Sequence, residues 1–180
     1  MDGIQIFCRG ALAAVFLVSG TMKLRAPTEF ADAVQALGRV PERWARWVGA
    51  AAIAAELGTA VALAVPVASR YGLWCALGLL TVFTALILRT LAASRGGAPN
   101  VSCACFGAGG AEISAVHLVR NAVLLTLAAL GLATSSVNGT GGAGFGSGYQ
   151  APLALAFGLL LAVVTVLLDD LVYLFRRTAA

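Results

Sequence analysis

The sequence predicts an all-α integral membrane protein: an antiparallel four-helix transmembrane bundle followed by a fifth, C-terminal transmembrane helix. Two observations lead there. Hydrophobic residues make up 60% of the 180 residues and charged residues 11%, against roughly 45–50% apolar and about 25% charged in soluble domains. The apolar residues also gather into five runs long enough to cross a bilayer, a span needing about 20 residues at about 1.5 Å of rise each. Helices are required because backbone amides and carbonyls inside lipid have no water to bond, and barrel strands would show short alternating runs instead.

The expected spans run from Ile4 to Leu24, Trp44 to Val67, Tyr71 to Leu91, Ile113 to Ala133 and Pro152 to Phe175. A cleaved signal peptide is a poor account of the first, since four more spans follow it. The domain division is therefore 1–133 for the four-helix unit, 134–150 for a Gly/Ser-rich linker and 151–180 for the fifth helix with its basic tail. The linker contains Asn138-Gly139-Thr140, a short glycosylation pattern of little weight.

Net charge is +4, yet the basic residues sit close to span ends, where lipid headgroups lie, so the partner they indicate is a lipid bilayer and not nucleic acid. With five spans, Lys23, Arg25, Arg39, Arg43, Arg46, Arg89, Arg95, Arg176 and Arg177 fall on one side, and only Arg9 and Arg70 on the other. The positive-inside rule makes the richer side cytoplasmic. The expected localisation is the cell membrane, multi-pass, with the N-terminus outside. Trp44, Trp47 and Tyr173 mark one interface, and Tyr71, Trp74 and Tyr149 the other.

Between the first two spans, Phe30, Val34 and Leu37 recur at helical spacing among polar residues, which predicts a short amphipathic helix on the membrane surface. Within the second span, Ala50, Ala54, Gly58 and Ala62 form a small-residue ladder expected to face the bundle interior, where it would let a neighbouring backbone approach.

The chemically active feature is the pair Cys103 and Cys105, in a glycine-rich loop just before the fourth span on the cytoplasmic side. Thiols one residue apart close a strained, easily reduced ring, or divide the work of attacking and resolving a mixed disulfide. A metal site would add His117 as a third ligand, but tetrahedral coordination needs a fourth that the sequence does not offer nearby, so no metal is expected. His117 is instead a proton-acceptor candidate for a thiol, sharing a helix face with Arg120.

Glu56 and Arg120 stand roughly 15 Å and roughly 10 Å inside their spans, reckoned from the residues between them and the span ends. Unpaired charges at such depths are costly, so the two are expected to pair, as a structural clasp or as a proton route or quinone headgroup contact. Cys8 and Cys75 lie at similar depth near the opposite face, and are candidates for a second thiol pair or for small apolar fillers.

These residues resemble the methylamine-utilisation protein MauE family, within the broader DoxX-like group of small membrane proteins. The resemblance rests on Ser19-Gly20-Thr21-Met22-Lys23-Leu24 with Pro27 and Phe30, then Pro41, the intramembrane Glu56, Cys103-Ala104-Cys105-Phe106-Gly107 and Arg120-Asn121. Ala104 replaces the glycine usual between the cysteines. The resemblance implies a redox-associated membrane protein linked to maturation of a disulfide-rich secreted dehydrogenase subunit in methylamine metabolism, often beside thioredoxin-like proteins.

Three functions compete on this reading. The first is a thiol–disulfide oxidoreductase, an enzymatic role, exchanging electrons with a thioredoxin-like partner in support of a client protein. The second is a non-catalytic assembly or maturation factor. The third is a transmembrane carrier of reducing equivalents or of a small solute, with quinone as the cofactor to consider.

Overall fold

The computed structural model describes residues 2–38, 40–95, 115–137, 152 and 156–164. Cys103 and Cys105, most of the glycine-rich linker, and the C-terminal basic tail lie outside the described residues.

The described chain is helical with no strand. Helix α1 covers Asp2–Arg25, α2 Pro27–Gly38, α3 Glu42–Ala64, α4 Ser69–Arg95 and α5 Ala115–Val137. Four of these, all but α2, are long and apolar enough to cross a membrane. The chain is thus a multi-pass membrane protein, and the first four expected spans fall on helices whose ends lie within a few residues of their expected bounds.

Among the described residues, α1 packs against α3 and α5, and α4 packs against the same two, so the four long helices form a closed ring. Each helix supplies one stripe to the core at three- and four-residue spacing: Cys8, Leu12, Val15 and Phe16 from α1, Ala60 and Leu63 from α3, Leu73, Ala76 and Leu80 from α4, Leu124, Leu127 and Ala128 from α5. Residues 156–164 of the expected fifth span are also helical. Ala162 joins the core, and a Cβ on Gly158 would stand 3.0 Å from the backbone of Phe7 and Ala11, so this glycine permits close approach to α1.

The amphipathic segment is helical as expected, but it buries its apolar side against protein. Phe30 and Ala31 of α2 are buried, and the space beside Gly49 of α3 is closed by the Phe30 ring and the Ala31 backbone.

The small-residue ladder of α3 faces the other way from its expected direction. Ala50, Ala54 and Gly58 are exposed, and a Cβ on Gly58 would meet nothing within 4 Å. The buried stripe is Ala45, Gly49, Ile53, Glu56, Thr59, Ala60 and Leu63. The reason is angular. Glu56 must turn inward to find a partner, and residues two places away, Ala54 and Gly58, then lie about 200° around the helix.

The turn between α3 and α4 is held by polar contacts. Arg9 donates from Nε and Nη2 to the Leu63 carbonyl at 3.1 and 3.0 Å, placing a cation where the last carbonyls of α3 concentrate negative potential. Residues Pro66–Ala68 form a short 3-10 turn, and Ser69 Oγ donates to the Pro66 carbonyl at 2.7 Å.

Candidate functional site

The buried stripes turn polar toward one end of the ring. In α1 the run Leu12, Phe16, Ser19 and Lys23 keeps to one face, so Lys23 inherits the direction of the core residues before it. In α5 the run His117, Arg120, Asn121 and Leu124 does the same, and all four are buried. Glu56 supplies the carboxylate from α3 at 1% exposure.

Lys23 and Glu56 form an ion pair through Oε1, with side chains 2% and 1% exposed. The ammonium also donates to Ser19 Oγ at 3.0 Å and lies 5.0 Å from the Phe30 ring centroid and 4.9 Å from that of Phe83. Those ring faces carry negative quadrupole potential, and a desolvated cation–π contact contributes about 2 kcal/mol. One carboxylate, one hydroxyl and two aromatic faces together replace the water that this cation loses.

Gly20 lies where α1 approaches α3 beside the pair. A Cβ at that position would lie 2.8 Å from Leu57 Cδ2 and 3.6 Å from Glu56 Cβ, so a larger residue would have to displace the Leu57 side chain at the depth of the ion pair.

A cavity of about 40 Å³ opens beside it, lined in part by Ser19, Lys23, Glu56, Phe83, Arg120 and Asn121. Glu56 Oε2 is buried with no hydrogen-bond partner among the described residues. Asn121 Nδ2 donates to Thr84 Oγ1 at 3.3 Å, tying α5 to α4 at this level. A water molecule occupies about 30 Å³ in the liquid and needs two or more polar neighbours when buried, so the site suits roughly one or two water molecules.

The sequence pointed to Arg120 as the partner of Glu56. The ion pair at Glu56 is made by Lys23, and Arg120 lines the same cavity. Charge sorting alone counts Lys23 among the interfacial cations, whereas the fold buries it at 2% exposure. The signal was present in its spacing: Lys23 is seven residues from Phe16 and four from Ser19, on the stripe that buries both.

His117 is buried at 4% exposure, three residues before Arg120 on the same stripe. The two remaining described cysteines diverge. Cys8 is enclosed in the core at 1% exposure, whereas Cys75 is exposed on α4, away from the buried positions Leu73 and Ala76. Both are free thiols, and they form no disulfide with one another.

Comparison with curated proteins gives no match, and comparison with solved structures gives none either. The family model described as methylamine utilisation protein MauE matches residues 1–134. That stretch contains α1 to α4, most of α5, the buried charges and both Cys103 and Cys105, and the chain therefore belongs to the MauE family.

Proposed function

We propose that the protein is a membrane thiol–disulfide redox protein in which Cys103 and Cys105 exchange electrons with a thioredoxin-like partner, supporting maturation of a client as in methylamine dehydrogenase maturation. The observation that carries this reading is the buried polar site of Lys23, Glu56, Arg120 and His117. Its α5 members stand on the helix that directly follows the cysteine loop in the chain.

The scaffold in this reading is an antiparallel four-helix bundle over 1–133, with a linker over 134–150 and a fifth spanning helix within 151–180. Charge bias places the loop in the cytoplasm and the N-terminus outside. A cytoplasmic loop suits reducing equivalents drawn from cytosolic thiols, because that compartment keeps thiols reduced.

The exchange balances without further reactants. A thiolate of the pair attacks the partner's disulfide and expels one partner thiolate, giving a mixed disulfide. The second cysteine attacks its neighbour's sulfur and releases the other partner thiolate. The loop dithiol becomes a disulfide, the partner disulfide becomes a dithiol, and the two protons pass from one pair to the other. His117 is the acceptor proposed for the first of those protons.

A quinone ring does not fit the Glu56 cavity as it stands. Ligand pockets run roughly 300–1,000 Å³, against about 40 Å³ here, so no step is routed through quinone.

The test uses a Cys8→Ser/Cys75→Ser protein, whose remaining thiols are Cys103 and Cys105. Intact cells are treated with a membrane-impermeant maleimide, and membranes are treated after oxidation or reduction. Redox-dependent labelling in opened membranes, with protection in intact cells, is expected. Thiols indifferent to oxidant and reductant, with client maturation intact after replacement of both by serine, would leave a non-catalytic assembly factor as the function.

A further inference from the structure

Ala50, Ala54 and Gly58 are turned outward, and the first two of them line a groove along α3. A concavity of about 550 Å³ lies where the end of α1 and the start of α2 meet α3, lined in part by Leu24, Pro27, Ala50, Ala54 and Leu57. A second concavity, at the start of α3, is lined by Glu42, Arg43, Arg46, Trp47 and Ala50. Arg46 and Ala50 line both, so a polar mouth runs directly into an apolar slot.

The dimensions match one leaflet of a bilayer. From Arg46 to Leu57 is eleven residues, or roughly 16 Å along a helix, about half of the roughly 30 Å hydrocarbon thickness. Trp47 at 73% exposure and Trp44 at 55% set the mouth at headgroup depth, where amphipathic aromatic rings collect. Alanines at the floor leave room for an acyl chain that larger side chains would displace.

We propose that this groove binds one anionic phospholipid, its phosphate held by Arg43 and Arg46 and one acyl chain lying over Ala50, Ala54 and Leu57. Two arginines outweigh the single Glu42 at the mouth, so the charge favours an anionic headgroup over a zwitterionic one. A second copy of the chain is a worse occupant. Copies in one membrane share their orientation, and an isologous contact through this face would set the Arg43 and Arg46 of both at the same depth, like charge against like.

The experiment is native mass spectrometry of the full-length chain in mild detergent, offered equal amounts of phosphatidylglycerol and phosphatidylcholine with matched acyl chains. One phosphatidylglycerol per chain should be retained, with a preference of about tenfold. R43Q/R46Q should erase the preference, and A54F should release both lipids. All three positions are exposed, and thermal unfolding of each variant checks that the bundle stands. Equal retention of the two lipids by the unaltered protein would overturn the proposal, as would a preference that survives R43Q/R46Q. A dimer that A54F dissociates, with no lipid retained, would assign the groove to a second copy.

Discussion

Lys23 and Glu56 come from different helices, α1 and α3, and meet as a fully buried ion pair whose cation is also flanked by Phe30 and Phe83. Four packing elements are tied by this one contact, since Phe30 belongs to α2 and Phe83 to α4. Removing one partner strips the other of its counter-ion beside the buried Arg120, while removing both takes away the two opposite charges together. Glu56→Ala should therefore lower stability by about 3–5 kcal/mol, and the double variant Lys23→Met/Glu56→Leu by much less than the sum of its singles. Unfolding of the detergent-solubilised protein by sodium dodecyl sulfate titration measures both. Additive costs would show that the pair is not the unit described.

Glycines in the same helix should respond in opposite directions. At Gly72 an added Cβ would lie 2.8 Å from the Leu63 amide nitrogen and 3.0 Å from the Ala62 carbonyl carbon, both backbone atoms that must shift to make room. Gly72→Ala is expected to cost about 1–3 kcal/mol by overpacking. At Gly78 nothing stands within 4 Å, and Gly78→Ala should add up to about 1 kcal/mol through helix propensity. Thermal midpoints of the two variants should thus fall on either side of the unaltered protein.

Arg9 makes two hydrogen bonds to one carbonyl near the end of α3. Bonds involving a charged group contribute about 1.5–3 kcal/mol, so Arg9→Ala is expected to cost about 2 kcal/mol. Arg9→Lys keeps the charge but loses the two-pronged geometry, and should recover only part of that loss. Hydrogen exchange at the last turn of α3 should rise in Arg9→Ala before it rises elsewhere.

The described thiols should separate by accessibility. Cys75 faces outward and Cys8 is closed in the core. In a Cys103→Ser/Cys105→Ser protein, a lipid-soluble maleimide should modify Cys75 under native conditions, and Cys8 only after denaturation. Equal labelling of both in the folded protein would contradict the packing of α1 against α5.

Several features could be read from the chain before its fold was known, and each rests on local sequence. Membrane residence and the positions of the four long helices follow from the length of apolar runs, because bilayer thickness and helix rise set that length whatever the neighbours are. The family was legible in the same way, from short motifs around Lys23, Glu56, Cys103 and Arg120. That Glu56 needed a buried partner was also legible, since its depth in an apolar run requires one.

Which partner it took was decided in three dimensions. Lys23 sits one residue before Leu24 at the end of a span, and hydropathy alone assigns such a lysine to the headgroups. Its helical phase with Phe16 and Ser19 and the rings of Phe30 and Phe83 turn it inward. The same choice rotated α3, so that Ala50, Ala54 and Gly58 face outward although their small size suits a helix contact. Sequence determines how long and how greasy each helix is, which is a property of single segments. The rotation of each helix about its axis depends on the joint satisfaction of buried charges by residues from several segments, and only the assembled bundle decides it.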